Sequence, residues 1–179
     1  MNSMTSILPP SDLIGDFKLA MRRLAATVTI ISTQHEGERF GMAATAVNSV
    51  TTTPPTLLIC VNKSARMHDA IFQSGYFCVN ILGTEHHELV AVYGGKVSGE
   101  ERFRHGTWVE GYQGLPCLLE APANVSCSVL SATEVGSHTV FLGEVRDIAL
   151  SGETRPLIYQ EGNLFRTISV DAVDGKKFA

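Results

Sequence analysis

What most constrains this chain is a succession of short apolar segments, rich in β-branched residues and closed off by glycine, proline or polar turns. They are "TVTIIST" (27–33), "TLLICV" (56–61), "YFCVNIL" (76–82), "NVSCSVL" (124–130), "HTVFLGEVRDIAL" (138–150), "PLIYQEG" (156–162) and "NLFRTIS" (163–169). Segments of this length and composition read as strands. In "NVSCSVL", Val125, Cys127 and Val129 share one face and Ser126 and Ser128 the other. Many short strands with frequent turn residues predict a mainly β protein, a closed or nearly closed antiparallel barrel.

Helical spacing is confined to a few places. Leu13, Phe17, Met21 and Leu24 recur at near-helical intervals, with Ser11 placed to cap. "SARMHDAIFQSG" predicts a short helix capped by Ser64 and stopped at Gly75. "TEHHELVAVYGG" predicts another, from Thr84 to the glycine pair, with Glu85, His86, His87 and Glu88 on a solvated face. "QHEGER" reads as a hairpin turn around Gly37 leading into "FGMAATAVNSV", and "TTTPP" breaks the pattern. The polar stretch from Gly94 to Gly114 reads as surface loop with some helix. Gly143 interrupts an apolar run and marks a bulge or bend.

The 179 residues suit one domain with a full core, and no internal repeat is visible. The expected division is a flexible N-terminal arm (1–11), one domain (12–168) and a C-terminal tail (169–179). Net charge is −4 with no basic run, which argues against nucleic-acid binding. No apolar run reaches membrane-spanning length, and no signal-peptide pattern opens the chain, so a cytoplasmic protein is expected. Cys60, Cys78, Cys117 and Cys127 form no C-x-x-C pair and read as reduced, buried thiols. The sequon at Asn124 then reads as chance. His86 and His87, adjacent on a helix, point about 100° apart, so no metal site is expected there.

Several chemistries leave no trace. There is no G-x-G-x-x-G after a first strand, no G-K-[ST] loop and no G-x-S-x-G elbow. The suggestive stretch is "GMAATAVNSVTTTPPTLLICVNKSARMHDAI" (41–71). Its small residues would let backbone approach a flat ligand, and Ser64 and Arg66 at a helix start would suit a phosphate. A tight strand crossing followed by an ordinary helix cap accounts for the same residues.

Taken in order, however, a longer set of segments resembles the flavin reductase family, small reductases with the FMN-binding split-barrel fold. The set runs "FKLAMRRLAATVTIIST", the 41–71 stretch, "YFCVNIL", "ERF", "GLPCLLEAPANVSCSV", "GSHTVFLGEV" and "PLIY", from about Phe17 to Ile168. The resemblance implies an antiparallel Greek-key split β-barrel with a few short flanking helices. It implies hydride transfer from NADH or NADPH to FMN or FAD, and supply of reduced flavin to a partner oxygenase. A homodimer is implied as well.

Residue by residue, it places Ala43, Ala44, Thr45 and Ala46, with Asn48 close behind, against the flavin ring and ribityl chain. Cys60, Val61 and Asn62 would line the other side of the ring system. Ser64 and Arg66 would hold the flavin phosphate, and Tyr93 would stand near the flavin. His138 matches the histidine of a Gly-Asp-His-like motif on the nicotinamide side, the one candidate catalytic residue. The chain departs from the family at Ala43, where threonine is common, and at Ser137, where the motif has aspartate. The split barrel also hosts flavin- or haem-binding modules and pyridoxamine phosphate oxidases, so a non-catalytic flavin- or haem-binding protein is the alternative, and a β-barrel interaction module binding no flavin a further one.

Overall fold

The computed structural model describes residues 12–152 and 155–169; the expected arm, the Ser11 cap and the tail from residue 170 lie outside them. The strands are β1 (Ala26–Thr27), β2 (Thr29–His35), β3 (Glu38–Ala44), β4 (Val47–Thr52), β5 (Pro55–Asn62) and β6 (Tyr76–Ile81). Then come β7 (Trp108–Glu110), β8 (Pro116–Leu118), β9 (Ala123–Val135), β10 (His138–Leu150), β11 (Leu157–Gln160) and β12 (Asn163–Arg166). The α-helices are α1 (Leu13–Arg22), α2 (Arg66–Ser74) and α3 (His87–Ala91).

The main sheet has seven strands in the order β3-β2-β6-β9-β10-β5-β4, every neighbouring pair antiparallel. The β9–β10 hairpin inserts between β5 and β6, which the chain joins through α2. That insertion makes a Greek key, and the molecule is a split β-barrel with short flanking helices. Two small sheets, β1-β11-β12 and β7-β8, are added to it.

Why "TVTIIST" is a continuous apolar run follows from its position. Ile31 faces a core with Leu57, Ile59, Val61, Phe77 and Phe141. Ile30, on the other face of β2, packs with Val28, Leu82, Tyr93 and Phe103. A strand buried on both sides need not alternate. Between the sheets, fully buried Asn80 donates to Ile30 O and Ser32 Oγ, both at 2.9 Å, and accepts from Leu118 N and Asn124 Nδ2, both at 2.8 Å. A buried amide must find such partners, and the network accounts for Asn124 as a core residue rather than a surface sequon.

The hairpin turn expected at Gly37 forms, and the structure adds a second at Gly136. Glu36 and Gly37 take positive φ between β2 and β3, and Gly136 does so (φ 58°) between β9 and β10. Gly75 ends α2 in the left-handed region, its N–H donating to Ile71 O. At Gly143 the β9–β10 register shifts, and an added Cβ would stand 2.7 Å from Phe77 Cε1, so this glycine permits close approach.

Four local expectations are corrected. The N-cap of α2 is Ala65, because the Ser64 hydroxyl donates back to Asn62 Oδ1 at 2.9 Å instead. The helix from Thr84 is broken into a 3-10 turn, α3 and a π-helical turn, with Gly95 at φ 115°. His86 leaves the solvated face: its side chain is only 10% exposed and its Nδ1 accepts from Gly83 N at 3.1 Å. The stretch from Gly94 to Gly114 supplies core: Phe103 and Trp108 pack with Tyr93, ring centroids 5.1–5.7 Å apart. Helix α1 forms with the expected spacing, yet buries none of its residues; Phe17 is 62% exposed.

Candidate active site

The chain leaves the sheet at a corner between β3 and β4, and that corner is Thr45 and Ala46. Their neighbours explain the break: Ala44 still pairs with Thr29, while Val47 already pairs with Ile59 on the opposite side. The corner opens a cavity of about 980 Å³. Thr45, Ala46 and Asn48 line it with Leu58 and Cys60 of β5, Thr27 of β1 and Tyr159 of β11. Small side chains, hydroxyls and an amide around an apolar floor suit a flat, hydrogen-bonding ligand.

Strand β5 has a period of two. Leu57, Ile59 and Val61 point into the core, whereas Leu58, Cys60 and Asn62 are partly exposed on the other face. Cross-strand partners share a face. Asn48 is opposite Leu58, and His138 is opposite Asn62. Asn48, Cys60, Asn62 and His138 therefore lie along one face of the β4-β5-β10 surface. Val61, 0% exposed, does not; its backbone is at the site but its side chain belongs to the core.

His138 is placed by the two-residue turn before it, which pairs it with Val135 as well. It is exposed, and its Nδ1 is 2.9 Å from Ser137 Oγ. The carbonyl of Ser137 accepts from Lys63 N at 2.9 Å, tying the turn to the end of β5. There Asn62 Oδ1 accepts both the amide and the hydroxyl of Ser64 at 2.9 Å. Lys63 pairs with Glu134 at 2.9 Å, drawing the Glu134 carboxyl below its usual range through the hydrogen bond and charge of Lys63. Beneath this turn, buried His68 of α2 places Nε2 2.9 Å from Thr139 Oγ1.

Arg66 opens α2 and reaches a second cavity, of about 330 Å³. Ala43 and Tyr93 line it too, as do Arg39, Arg102, Gly94, Gly95 and Gly99. Arg39 pairs with Glu100, and Arg66 with Glu38 at 2.7 Å. Arg102 donates to Gly41 O and to Val97 O, and its buried Nε has no partner among the described residues. Burial raises the Tyr93 phenol well above its ordinary value, so it is a neutral donor, here to Arg102 O at 3.1 Å.

The expected residues thus fall into three groups. Thr45, Ala46, Asn48 and Cys60 line the large cavity, while Ala43, Arg66 and Tyr93 line the smaller. Asn62, Ser64 and His138 meet at the β5–β10 end. Ala44 lines neither cavity and packs toward the Phe77 core. Sequence reasoning missed Arg39, Arg102 and His68. Arg102 lies inside the quoted "ERF", but nothing local distinguishes an arginine that folds back onto β3 from a surface one. No group of three or more His, Cys, Asp or Glu side chains among the described residues is placed to hold a metal.

The fold is that of flavin reductases. Residues 21–167 match the flavin reductase like domain, and the chain belongs to that family. It is an oxidoreductase enzyme. Among its relatives, the FMN reductase (NADH) RutF of Variovorax paradoxus is 42% identical over 156 residues, covering 87% of each chain. The reductase component of the FADH(2)-dependent resorcinol hydroxylase of Rhizobium sp. is 39% identical over 155 residues, covering 86% of this chain and 87% of that one. In structure, flavin reductase PheA2 in its native state superposes with a TM-score of 0.79 at 32% identity, over 87% of this chain and 99% of the other.

Proposed function

We propose that this flavin reductase transfers hydride from NADH to FMN and passes the reduced flavin to a separate oxygenase. The single observation that carries the reading is the shared face on which Asn48, Cys60, Asn62 and His138 line up beside the Thr45–Ala46 corner. The choice of NADH and FMN is supported by the name of the Variovorax relative, and an oxygenase partner by that of the Rhizobium one.

The two cofactors supply the redox chemistry, hydride leaving reduced nicotinamide for the flavin ring. The residues present fit that task. The corner of Thr45 and Ala46 lets backbone lie against a planar ring, while Ala43, where a hydroxyl of the commoner threonine is missing, lines the smaller cavity. Thr45 and Asn48 offer hydrogen bonds at its rim. Ser64 and Arg66 offer a hydroxyl and a cation to the phosphate. His138 stands at the open end of the same face and holds the nicotinamide. The protein contributes orientation and proximity, so no nucleophile or acid–base triad is required.

The protein is proposed to act as a homodimer. Apolar side chains exposed on α1, and Leu130, Val135, Ile148 and Leu150 exposed on β9 and β10, are ones a second copy would cover. No helix among the described residues is long and apolar enough to cross a membrane.

Steady-state rates with each pairing of NADH or NADPH with FMN or FAD test the assignment. The expected result is the highest kcat/KM for NADH with FMN. A tenfold preference for NADPH or for FAD would overturn that half of the assignment, and a protein that binds flavin without oxidising either nicotinamide would be a carrier.

A further inference from the structure

Cys78 and Cys117 are far apart in sequence and serve no part of the site. Cys78 lies on β6 and Cys117 on β8, and their sulfurs are 3.6 Å apart. Together with Leu115 they form a separate small core, Cys78 0% and Cys117 7% exposed. A disulfide needs its sulfurs about 2.05 Å apart, so closing this pair takes a shift of roughly 1.5 Å, within reach of side-chain rotation. The other two thiols are differently placed. Cys60 lines the large cavity, and burial pushes the Cys127 thiol up to about 12, leaving it protonated and inert.

We propose that Cys78 and Cys117 are a peroxide-oxidisable pair that closes an intramolecular disulfide between β6 and β8. Cys117 is the attacking sulfur. The hydrogen bond from Cys78 holds its thiol below the ordinary value, while that contact and burial raise Cys78. The Cys117 thiolate attacks one oxygen of hydrogen peroxide, the O–O bond breaks, and a sulfenic acid and water result after proton uptake. The Cys78 sulfur, losing its proton, then attacks the sulfenic sulfur; the S–S bond forms, the S–O bond breaks and a second water leaves. Two thiols are oxidised by two electrons and one peroxide is reduced to two waters.

The crosslink would bridge residues 39 apart in sequence. The bridged segment contains α3, Tyr93 and Arg102, so oxidation ties one wall of the smaller cavity to a central strand of the barrel. The oxidant is one that free reduced flavin generates when it meets dioxygen, a source that rests on the proposed function. The chemistry of the pair does not, because peroxide can be added directly.

The test treats purified protein with hydrogen peroxide, counts free thiols after denaturation, and maps crosslinked peptides by mass spectrometry. Thiols should fall from the four of the reduced chain to two, with Cys78 and Cys117 in one linked peptide, and a dithiol reductant should restore all four. The Tm should rise on the order of 5–15 °C on oxidation. Cys60→Ser should keep both effects, and Cys117→Ser should lose both. If Cys117→Ser does not fold, the peptide map of the wild type decides alone. Oxidation confined to Cys60, a link to any other cysteine, or Cys78 and Cys117 recovered as free thiols would overturn the proposal.

Discussion

His138 and Asn62 stand opposite each other in the β5–β10 ladder, and Ser137 O and Lys63 N are bonded beside them. The residue proposed for the nicotinamide is thereby held on the same face, at the same strand end, as the Asn62–Ser64 pair proposed for the flavin. Donor and acceptor groups that must meet are offered by two adjacent strands of a rigid sheet.

His138→Ala should therefore raise the KM for NADH about 3–10-fold, the worth of one ordinary hydrogen bond, with the Kd for FMN unchanged. Steady-state kinetics and a fluorescence titration of flavin measure the two. An equal loss of flavin binding would make His138 a structural residue of the turn.

Arg66→Ala should weaken FMN by roughly 10–100-fold, as expected for a charge-assisted contact to phosphate. Riboflavin, which lacks the phosphate, should bind the variant as it binds the wild type. Parallel titrations of the two flavins make the comparison. Equal weakening of both would remove Arg66 from the phosphate.

Gly143→Ala should destabilise the fold by about 1–3 kcal/mol through overpacking. Its Cβ would meet Phe77 and, at 2.8 Å, Cys127 Cβ. Denaturant unfolding should show a lower midpoint with unchanged slope, at unchanged flavin affinity per folded molecule.

His86 gives a pH dependence. Burial lowers its pKa, with the nearby Glu85 carboxylate partly opposing. The neutral ring is the form the fold prefers, because Nδ1 must accept from Gly83 N. The unfolded chain takes up its proton near the ordinary histidine value, about 6.5; the folded one does so only at lower pH. The stabilisation is thus complete above that value and is lost as pH falls through the depressed folded value. The Tm advantage of wild type over His86→Ala should be full at pH 8 and should shrink below pH 6. A constant difference across that range would contradict it.

Much of this was legible along the chain because it is local. The β-hairpin at Gly37, the stop at Gly75 and the irregularity at Gly143 are written in residues that permit few conformations. The ordered segments were enough to point to the family, which residues 21–167 match. What escaped was non-local or depended on phase. Cys60, Val61 and Asn62 read as one lining stretch until the ladder fixed which of them faces inward. Ser64 read as a cap because it precedes a helix, yet Asn62 is the nearer partner. The aromatic group of Tyr93, Phe103 and Trp108, and the meeting of Cys78 with Cys117, join residues that no local pattern links. Helix α1 shows the converse: its apolar spacing was read correctly, but none of its residues is buried among the described residues.

The central claim is hydride transfer to a flavin held at the Thr45–Ala46 corner, and anaerobic mixing of the protein with NADH and FMN tests it most directly. The account predicts that nicotinamide absorbance falls and flavin bleaches together, one for one, at a rate that requires both the protein and added flavin. Flavin that binds but stays oxidised, with NADH and NADPH alike left intact, would contradict it.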